Sequence, residues 1–205
     1  MPTARGRFYV LDGLDGCGKS TQAARLVAAL GAGASLPPLH LREPGSTAAG
    51  ERIRALLLDP EPALAPAAQV LLFAAARRQM LEELVAPALA SGRHVVCERF
   101  HPSTLAYQGA ALGVGEGRVL ALLTEWAGEP APDLTLILDL APEEARARRG
   151  TRDRYEAERH DFHRRVAESY RRYAARAERA VLVDARGSPD EVATRLWQEV
   201  QRAGR

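Results

Sequence analysis

The only lysine of this chain lies in a glycine-rich segment suited to holding phosphate. Lys19 belongs to Gly13-Leu14-Asp15-Gly16-Cys17-Gly18-Lys19-Ser20, a complete match to the pattern GxxxxGK(S/T), whereas the other 27 of the 28 basic residues are arginines. Backbone N–H groups of such a turn, together with the N-terminus of the following helix, surround phosphate oxygens. A compact ammonium reaches the β- and γ-phosphates, whereas the planar fork of arginine does not fit inside the ring of amides. The segment therefore predicts a nucleotide-phosphate site.

The residues on either side of the loop support this prediction. The segment 7–11 has the composition of a short strand that leads into the loop, and Ser20 to Leu30 carries apolar residues at helical spacing. An ordinary glycine turn between a strand and a helix is the alternative. The hydroxyl of Ser20 takes a Mg²⁺ position in loops of this kind. The predicted nucleotide-binding residues are Gly13, Leu14, Asp15, Gly16, Cys17, Gly18, Lys19, Ser20 and Thr21.

Composition limits the class of protein. The 205 residues, 46% of them hydrophobic, suit one globular domain over 1–205. A net charge of +2 without a basic stripe argues against a nucleic-acid partner. Cys17 and Cys97 form neither a disulfide framework nor a metal cluster, so a reducing cytoplasm is the expected location. The first residues have no apolar signal core and no run reaches the roughly 18 apolar residues of a membrane span, so we expect no membrane partner.

Short apolar runs alternate with helical patterns along the whole chain. This alternation predicts an α/β fold, an open parallel sheet with ligands beyond the carboxyl ends of its strands. Pro87 should kink or end the long third helix near Ala86. The predicted strands are 8–11, 39–42, 94–97, 134–140 and 181–184, and the predicted helices are 20–30, 47–58, 67–90, 116–127, 142–149, 156–179 and 189–201.

Polar clusters follow several of these strands. Arg42-Glu43-Pro44-Gly45 follows the second strand, Glu98-Arg99-Phe100 follows the third, and Asp139 lies near the end of the fourth. An arginine after a strand is often only a solvated end, and Asp139 has a purely local hydrogen bond as its alternative role. Together with the phosphate loop, however, the clusters predict a site at the carboxyl edge of the sheet.

Several motifs in the same order resemble bacterial thymidylate kinases. They cover nearly the whole chain, and two of them, the segment 72–77 and the Ala106-Tyr107-Gln108-Gly109 part of the segment 98–109, are not shared with phosphate-loop proteins at large. The matching segments are Asp12 to Gln22, Arg42-Glu43-Pro44-Gly45 with Ile53 to Leu58, Leu72-Phe73-Ala74-Ala75-Ala76-Arg77, Glu98 to Gly109 containing Ala106-Tyr107-Gln108-Gly109, Pro132 to Thr135, and Asp153-Arg154-Tyr155-Glu156.

The resemblance implies a fold and an activity. The fold is that of P-loop NTPases, a five-stranded parallel sheet flanked by helices, with a short lid at about 146–156. The activity is transfer of the γ-phosphoryl group of ATP to dTMP, which gives dTDP and ADP for dTTP biosynthesis. Mg²⁺ is the implied cofactor, ATP and dTMP are the implied small-molecule partners, and a homodimer is the implied assembly.

The resemblance also implies roles for individual residues. Phe73 stacks on the thymine ring, Arg77 donates to the carbonyl edge of the base, and Tyr107 excludes a ribose 2′-hydroxyl. Core packing is the alternative for Phe73, and a buried hydrogen-bonded ring for Tyr107. The implied catalytic residues are Lys19, Arg149, Arg99 and Asp15; the metal ligands are Ser20, Asp15 and Glu98; and the substrate-binding residues are Asp12, Arg42, Pro44, Arg54, Phe73, Arg77, Glu98, Arg99, Ser103, Thr104, Tyr107 and Gln108.

Three residues depart from the family pattern. Asp12 and Glu98 stand where the family has glutamate and aspartate, so charge is kept while the reach of each side chain differs by one methylene. Ser46 stands where the family has a second glycine after Pro44. The exact roles of the two carboxylates and the backbone conformation at Ser46 therefore depend on the structure.

Other classes of phosphate-loop protein fit less well. A GTPase switch needs a second lysine in its guanine-reading motif, and this chain has none. A nucleic-acid ATPase of this length lacks a basic stripe. Another nucleoside-monophosphate or deoxynucleoside kinase is the nearest alternative.

The predicted lid gives a first testable expectation. The phosphate loop has Gly16 and Cys17 where some thymidylate kinases carry an arginine, so the compensating cation must come from elsewhere, and Arg149 before Gly150 matches the arginine of lid-type members. We expect Arg149→Ala to lower kcat far more than it raises KM for dTMP, since such an arginine contributes about 10³ to 10⁵ in rate elsewhere and neighbouring arginines replace part of it. Steady-state kinetics of this variant and of its combination with Arg148→Ala check it; a kcat within about twofold in both would contradict it.

Overall fold

One sheet carries the five strands found among the described residues, and every pair of neighbouring strands is parallel. In this computed structural model, which describes residues 5–61, 63–149 and 156–204, the strand order is β2-β3-β1-β4-β5. The expected α/β fold with a five-stranded parallel sheet is therefore confirmed. The strands are β1 Phe8–Gly13, β2 Leu39–Arg42, β3 Val95–Glu98, β4 Leu134–Asp139 and β5 Ala180–Asp184.

Helices connect the strands and cover both faces of the sheet. Each parallel pair needs a crossover, and the helical patterns between the strands supply it. The helices are α1 Lys19–Gly31, α2 Ala48–Leu58, α3 Pro66–Met80, α4 Ala86–Ala90, α5 His101–Thr104, α6 Glu116–Ala127, α7 Pro142–Arg149, α8 Glu156–Arg176 and α9 Pro189–Ala203, and π-helical segments cover Leu81–Val85 and Leu105–Ala111.

The side chains of the central strand β1 alternate between two separate cores. Phe8 and Val10 pack with Met80, Leu81 and neighbouring side chains on one face. Tyr9 and Leu11 belong to the core on the other face, which α1, α8 and α9 complete. Because both faces are covered, the first four residues of β1, Phe8 to Leu11, form an unbroken hydrophobic run, as expected of a buried parallel strand.

The carboxyl ends of the strands meet along one edge of the sheet. The phosphate loop follows β1, Glu43 follows β2 and Arg99 follows β3. Strand β1 lies between β3 and β4. Strands β2 and β3 lie on one side of β1 and strands β4 and β5 on the other, so the strand order reverses direction at β1. In open α/β folds, ligands bind at such a point of the sheet. The sheet therefore brings segments that are distant in sequence to one place.

Two helical regions differ from the sequence-based expectation. The expected helix 67–90 reaches Ala90 and does not end at Pro87, but the segment Leu81–Val85 directly before Ala86 is π-helical, which the sequence pattern does not predict. In a π turn the backbone hydrogen bonds span one residue more than in an α-helix. This change of register lies close to Pro87, which has no N–H to donate. The second difference is the helical segment 101–111, which the sequence pattern does not predict. Across the described residues, none of the helices combines the length and apolar character needed to span a membrane.

Candidate active site

The phosphate loop has the backbone conformation that its glycines allow. Gly13, Gly16 and Gly18 have φ of 139°, 92° and 98°, values that residues with a side chain rarely adopt. A Cβ at Gly13 would lie 2.6 Å from the carbonyl oxygen of Leu138 on β4, so glycine is also required by close packing. Helix α1 begins at Lys19, whose ammonium donates to the carbonyl oxygens of Gly13 and Leu14 at 2.9 Å. The cation is thus fixed against the loop.

Two cavities adjoin the phosphate loop and share part of their lining. The first, about 400 Å³, is polar and includes Gly16, Lys19 and Ser20 in its wall. The second, about 260 Å³, is more apolar and includes Phe73 and Arg77. The residues that line both are Asp15, Glu43, Arg54 and Arg99. Two arginines therefore lie where one cavity passes into the other.

Arg99 occupies this junction in a constrained conformation. Its φ is 69°, in the left-handed region, while its N–H donates to Leu11 on β1 at 2.8 Å. Its guanidinium forms an ion pair with Asp15 and donates to Ser103 at 3.3 Å. A non-glycine residue at positive φ costs free energy and is found mostly where the surrounding structure imposes it, often in active sites. Arg54, across the junction, donates to the carbonyl oxygen of Pro44 at 3.0 Å.

A buried ion pair fixes the side chain of Arg77. Its Nε lies 2.8 Å and its Nη2 lies 2.7 Å from Glu43 Oε2, and Nη2 also donates to Thr104 at 3.1 Å. Burial raises the pKa of Glu43, and the guanidinium of Arg77 opposes that rise. The Arg77 guanidinium also stacks over the ring of Phe100, 4.9 Å from its centroid. Arg77 is only 1% exposed, so its orientation is fixed from several sides.

Two buried polar atoms in the second cavity wall have no hydrogen-bond partner among the described residues. They are Nη1 of Arg77 and the hydroxyl oxygen of Tyr107. Burial raises the pKa of Tyr107, so the hydroxyl stays protonated and can donate. Buried polar groups are nearly always paired in folded proteins. These two atoms therefore indicate that the cavity accepts a polar ligand.

The carboxylate of Asp12 is fully buried and accepts five hydrogen bonds. Its donors are the N–H groups of Gly13, Phe100 and Ser103, the hydroxyl of Ser103 and the hydroxyl of Tyr170, at 2.7 to 3.0 Å. Asp12 lies outside the lining of both cavities. The shorter aspartate at this position thus connects β1 to the turn that carries Arg99 and to α8.

Oxygen atoms of Ser20 and Glu98 lie together in the wall of the first cavity. The Ser20 hydroxyl donates to Glu98, and the other oxygen of Glu98 lies 3.0 Å from Nε2 of His40. Asp15 contributes a further carboxylate nearby, paired with Arg99 and 3.6 Å from Lys19. Within the described part of the chain, no cluster of three His, Cys, Asp or Glu residues could hold a metal by itself. A hydroxyl with one or two carboxylates matches Mg²⁺, which takes its other ligands from water and phosphate.

The remaining family departure, Ser46, keeps the backbone conformation of a glycine. Its φ is 67°. Its hydroxyl accepts from the N–H of Arg42 at 2.9 Å and donates to the carbonyl of Arg42 at 3.0 Å, while its own N–H donates to Glu51. These bonds stabilise the turn against the cost of a left-handed serine.

Two titratable side chains near the site are chemically inert. Burial lowers the pKa of His101 to about 3, so the ring is neutral and can donate Nε2–H to the carbonyl oxygen of Ala127 at 2.9 Å. Burial raises the pKa of the Cys17 thiol, which disfavours the reactive thiolate. Both residues therefore act in packing.

The structure brings most of the predicted site residues together. Asp12, Gly13, Leu14 and Cys17 lie beneath the cavities, and the side chain of Arg149 is outside the described residues, as are positions 150–155 of the predicted lid. Arg148 donates to the carbonyl of Ala185 at 3.0 Å. Those that line the cavities are Asp15, Gly16, Gly18, Lys19, Ser20, Thr21, Arg42, Pro44, Arg54, Phe73, Arg77, Glu98, Arg99, Ser103, Thr104, Tyr107 and Gln108.

Sequence reasoning missed several contributors. Glu43 was not among the predicted site residues, although a carboxylate directly after a strand was the available signal. Leu57 and Leu58 line the second cavity, and Tyr170 binds Asp12. The two leucines belong to the matching segment Ile53 to Leu58 but were given no role, and no sequence pattern marks Tyr170.

Comparison with known proteins decides the family. A family model described as thymidylate kinase matches residues 11–196. The chain belongs to the thymidylate kinase family. The family expected from the motifs is therefore confirmed, and with it a phosphotransferase activity.

Individual relatives agree with this membership along nearly the whole chain. A thymidylate kinase of a Synechococcus strain is 46% identical, with 95% of this chain and 94% of that protein covered. A thymidylate kinase of Deinococcus radiodurans is 38% identical, with 98% and 99% covered. The crystal structure of thymidylate kinase from Ehrlichia chaffeensis has a TM-score of 0.82 at 25% identity and covers 96% of this chain and all of that one.

The hydrogen bonds of Asp12 give a stability prediction. In Asp12→Asn, the NH₂ group of asparagine is a donor and would face some of the five groups that donate to Asp12. We therefore expect the free energy of unfolding to fall by about 1.5 to 3 kcal/mol. Urea denaturation measures the change. Glu82→Gln is the matched control, because Glu82 is exposed and its ion pair in the described part of the chain is with Arg78, four residues earlier, so it should change stability by less than about 0.5 kcal/mol. Equal effects of the two substitutions would contradict the role assigned to Asp12.

Proposed function

We propose that this chain transfers the γ-phosphoryl group of ATP to dTMP, with the ATP phosphates in the 400 Å³ cavity and dTMP in the 260 Å³ cavity. The observation that carries the acceptor assignment is Nη1 of Arg77, a buried donor without a partner among the described residues in a largely apolar cavity. An acceptor such as the O4 oxygen of thymine satisfies it.

The surroundings of Arg77 support its proposed role in recognising the base. Glu43 and Thr104 hold the guanidinium, so Nη1 is a fixed donor. Cytosine presents an amino donor where thymine presents O4, and two opposed donors in a desolvated cavity cost about 1 to 3 kcal/mol. Phe73, half-buried in the same wall, offers a ring face for stacking. Tyr107 is the proposed barrier to a ribose 2′-hydroxyl.

The junction of the cavities is the proposed place of phosphoryl transfer. Arg54 and Arg99 line both cavities, and guanidinium groups suit a phosphate dianion in bidentate geometry. The acceptor is itself a phosphate whose second pKa is near about 6, so no side chain has to remove a proton. Lys19 and the loop amides stabilise the charge that develops on the transferred group. Arg149 of the lid remains the proposed source of a further cation.

Ser20 and Glu98, with Asp15 close by, are the proposed residues that hold Mg²⁺. The ion supplies neutralisation of the ATP phosphates. These side chains would supply some of the oxygen ligands that Mg²⁺ prefers, and water and phosphate would supply the others.

We also propose that residues 1–205 act as one domain in a reducing cytoplasm. A single sheet containing all five described strands supports one domain. Cys17 and Cys97 lie buried and unpaired as thiols, which supports a reducing compartment.

Acceptor selectivity tests the proposed reaction. With ATP and Mg²⁺, we expect dTMP to give the highest kcat/KM, dUMP a lower value and dCMP a value at least tenfold below dTMP, because Arg77 donates to O4 and opposes an amino group. ADP release should be measured with dTMP, dUMP, UMP, CMP, dCMP, GMP, AMP and thymidine. Comparable kcat/KM for dCMP and dTMP would overturn the assignment, and a preference for another acceptor would favour a different nucleotide kinase.

A homodimer is the proposed assembly. Leu71 on α3 and Leu120 and Trp126 on α6 are 58%, 43% and 64% exposed, and these two helices pack side by side. Large apolar groups exposed on neighbouring helices are typical of an association surface. Sedimentation equilibrium should give twice the chain mass of 22.2 kDa. A single-chain mass at micromolar concentration would contradict the proposal.

A further inference from the structure

Two glutamine side chains connect the wall of the second cavity to helix α3. Gln108 lines the cavity and is 7% exposed. Its amide nitrogen donates to Oε1 of Gln69 at 3.0 Å. Gln69 does not line the cavity, and the proposed function gives it no role.

The orientation of the Gln69 amide follows from its second contact. Its Nε2 donates to the carbonyl oxygen of Leu64 at 3.0 Å. A carbonyl only accepts, so rotating this amide by half a turn would place two oxygens against each other. Oε1 of Gln69 must therefore face Gln108, and Gln108 must present its nitrogen in return. The orientation is fixed by the backbone of residue 64.

The other end of the Gln108 amide is then an acceptor. No described residue donates to Oε1 of Gln108, whereas its nitrogen is occupied by Gln69. Nη1 of Arg77, a donor, belongs to the same cavity wall. The cavity thus offers one oriented donor and one oriented acceptor.

We infer that Gln69 is a positioning residue for base selection: it holds Gln108 so that Oε1 accepts the N3–H of thymine while Arg77 donates to O4. This inference rests on the proposed function. Cytosine has an acceptor at N3 and a donor at N4, so it opposes both oriented groups. Uracil has the same edge as thymine and is accepted equally at these two positions.

The donor Arg77 and the acceptor Gln108 are held by hydrogen bonds between the same two helical segments. Arg77 and Gln69 both lie on α3, and their partners Thr104 and Gln108 are one turn apart on the helical segment 101–111. The hydrogen bonds Arg77–Thr104 and Gln69–Gln108 therefore connect α3 to the segment 101–111 at two different positions along the helices. Loss of the second bond releases the acceptor while the first still holds the donor.

Binding of dTMP and dCMP without ATP tests the inference. Isothermal titration calorimetry should give the ratio of their dissociation constants for wild type and for Gln69→Met, which is nearly isosteric and removes both polar atoms. We expect the preference for dTMP to fall at least tenfold in Gln69→Met, because a released Gln108 amide can rotate to serve cytosine. Gln69→Glu should keep the preference within about threefold, because a carboxylate still accepts from Gln108.

Matched variants separate positioning from folding. Gln79→Met changes the same residue type on α3 at an exposed position whose side chain donates to Glu83, and it should leave the ratio unchanged. Gln108→Leu should lower the preference, and adding Gln69→Met to it should have no further effect on the ratio. Circular dichroism melting checks that each variant is folded.

The outcomes distinguish the two levels of the proposal. Equal weakening of dTMP and dCMP by Gln69→Met, with an unchanged ratio, would overturn the inference while the proposed function stands. An additive effect in the double variant would also overturn it, since Gln69 would then act by another route. Absence of any dTMP preference in wild type would overturn the proposed function itself.

Discussion

The geometry of the site depends on the carboxylate of Asp12. A buried carboxylate is tolerated only when its oxygens are satisfied, and the five donors to Asp12 come from β1, from the turn after β3 and from α8. The phosphate loop continues directly from β1, and Arg99 precedes the donor Phe100 by one residue. A single carboxylate thereby fixes the loop relative to the arginine at the cavity junction, and the left-handed conformation of Arg99 is held by the same contacts.

Glu43 is a second buried carboxylate, and it fixes Arg77 in the wall of the second cavity as Asp12 fixes the phosphate loop. Glu43 binds Nε and Nη2 of Arg77, and Nη1 is left without a hydrogen-bond partner among the described residues. A buried ion pair contributes little net stability, because desolvation offsets the attraction. Its value here is orientation: a guanidinium held by Glu43 and Thr104 cannot rotate to suit a different base. The proposed base selectivity thus depends on a residue, Glu43, that need not touch the nucleotide.

Much of the fold and part of the site could be predicted from the sequence. The boundaries of β2 and of α6 agree with the expected ones, because short apolar runs and helical spacing are local signals. The segment 101–111 was missed because Pro102 and Gly109 disfavour helix by intrinsic preference, while packing against α6 and α8 stabilises it. The expected helix 67–90 does reach Ala90, but its π-helical segment Leu81–Val85 was missed, since the sequence does not reveal a π turn.

The sequence by itself determined the phosphate loop, since all its groups lie within nine consecutive residues and the glycine positions dictate its backbone. It also determined the family, through motifs spread along the chain in a fixed order. Only the tertiary structure decided which polar atoms are already satisfied and which face a ligand. Asp12 meets Tyr170 across 158 positions, Glu43 meets Arg77 across 34, and Gln69 meets Gln108 across 39. Hydrogen bonds between such distant residues depend on how the strands and helices are packed, and no local pattern encodes that packing.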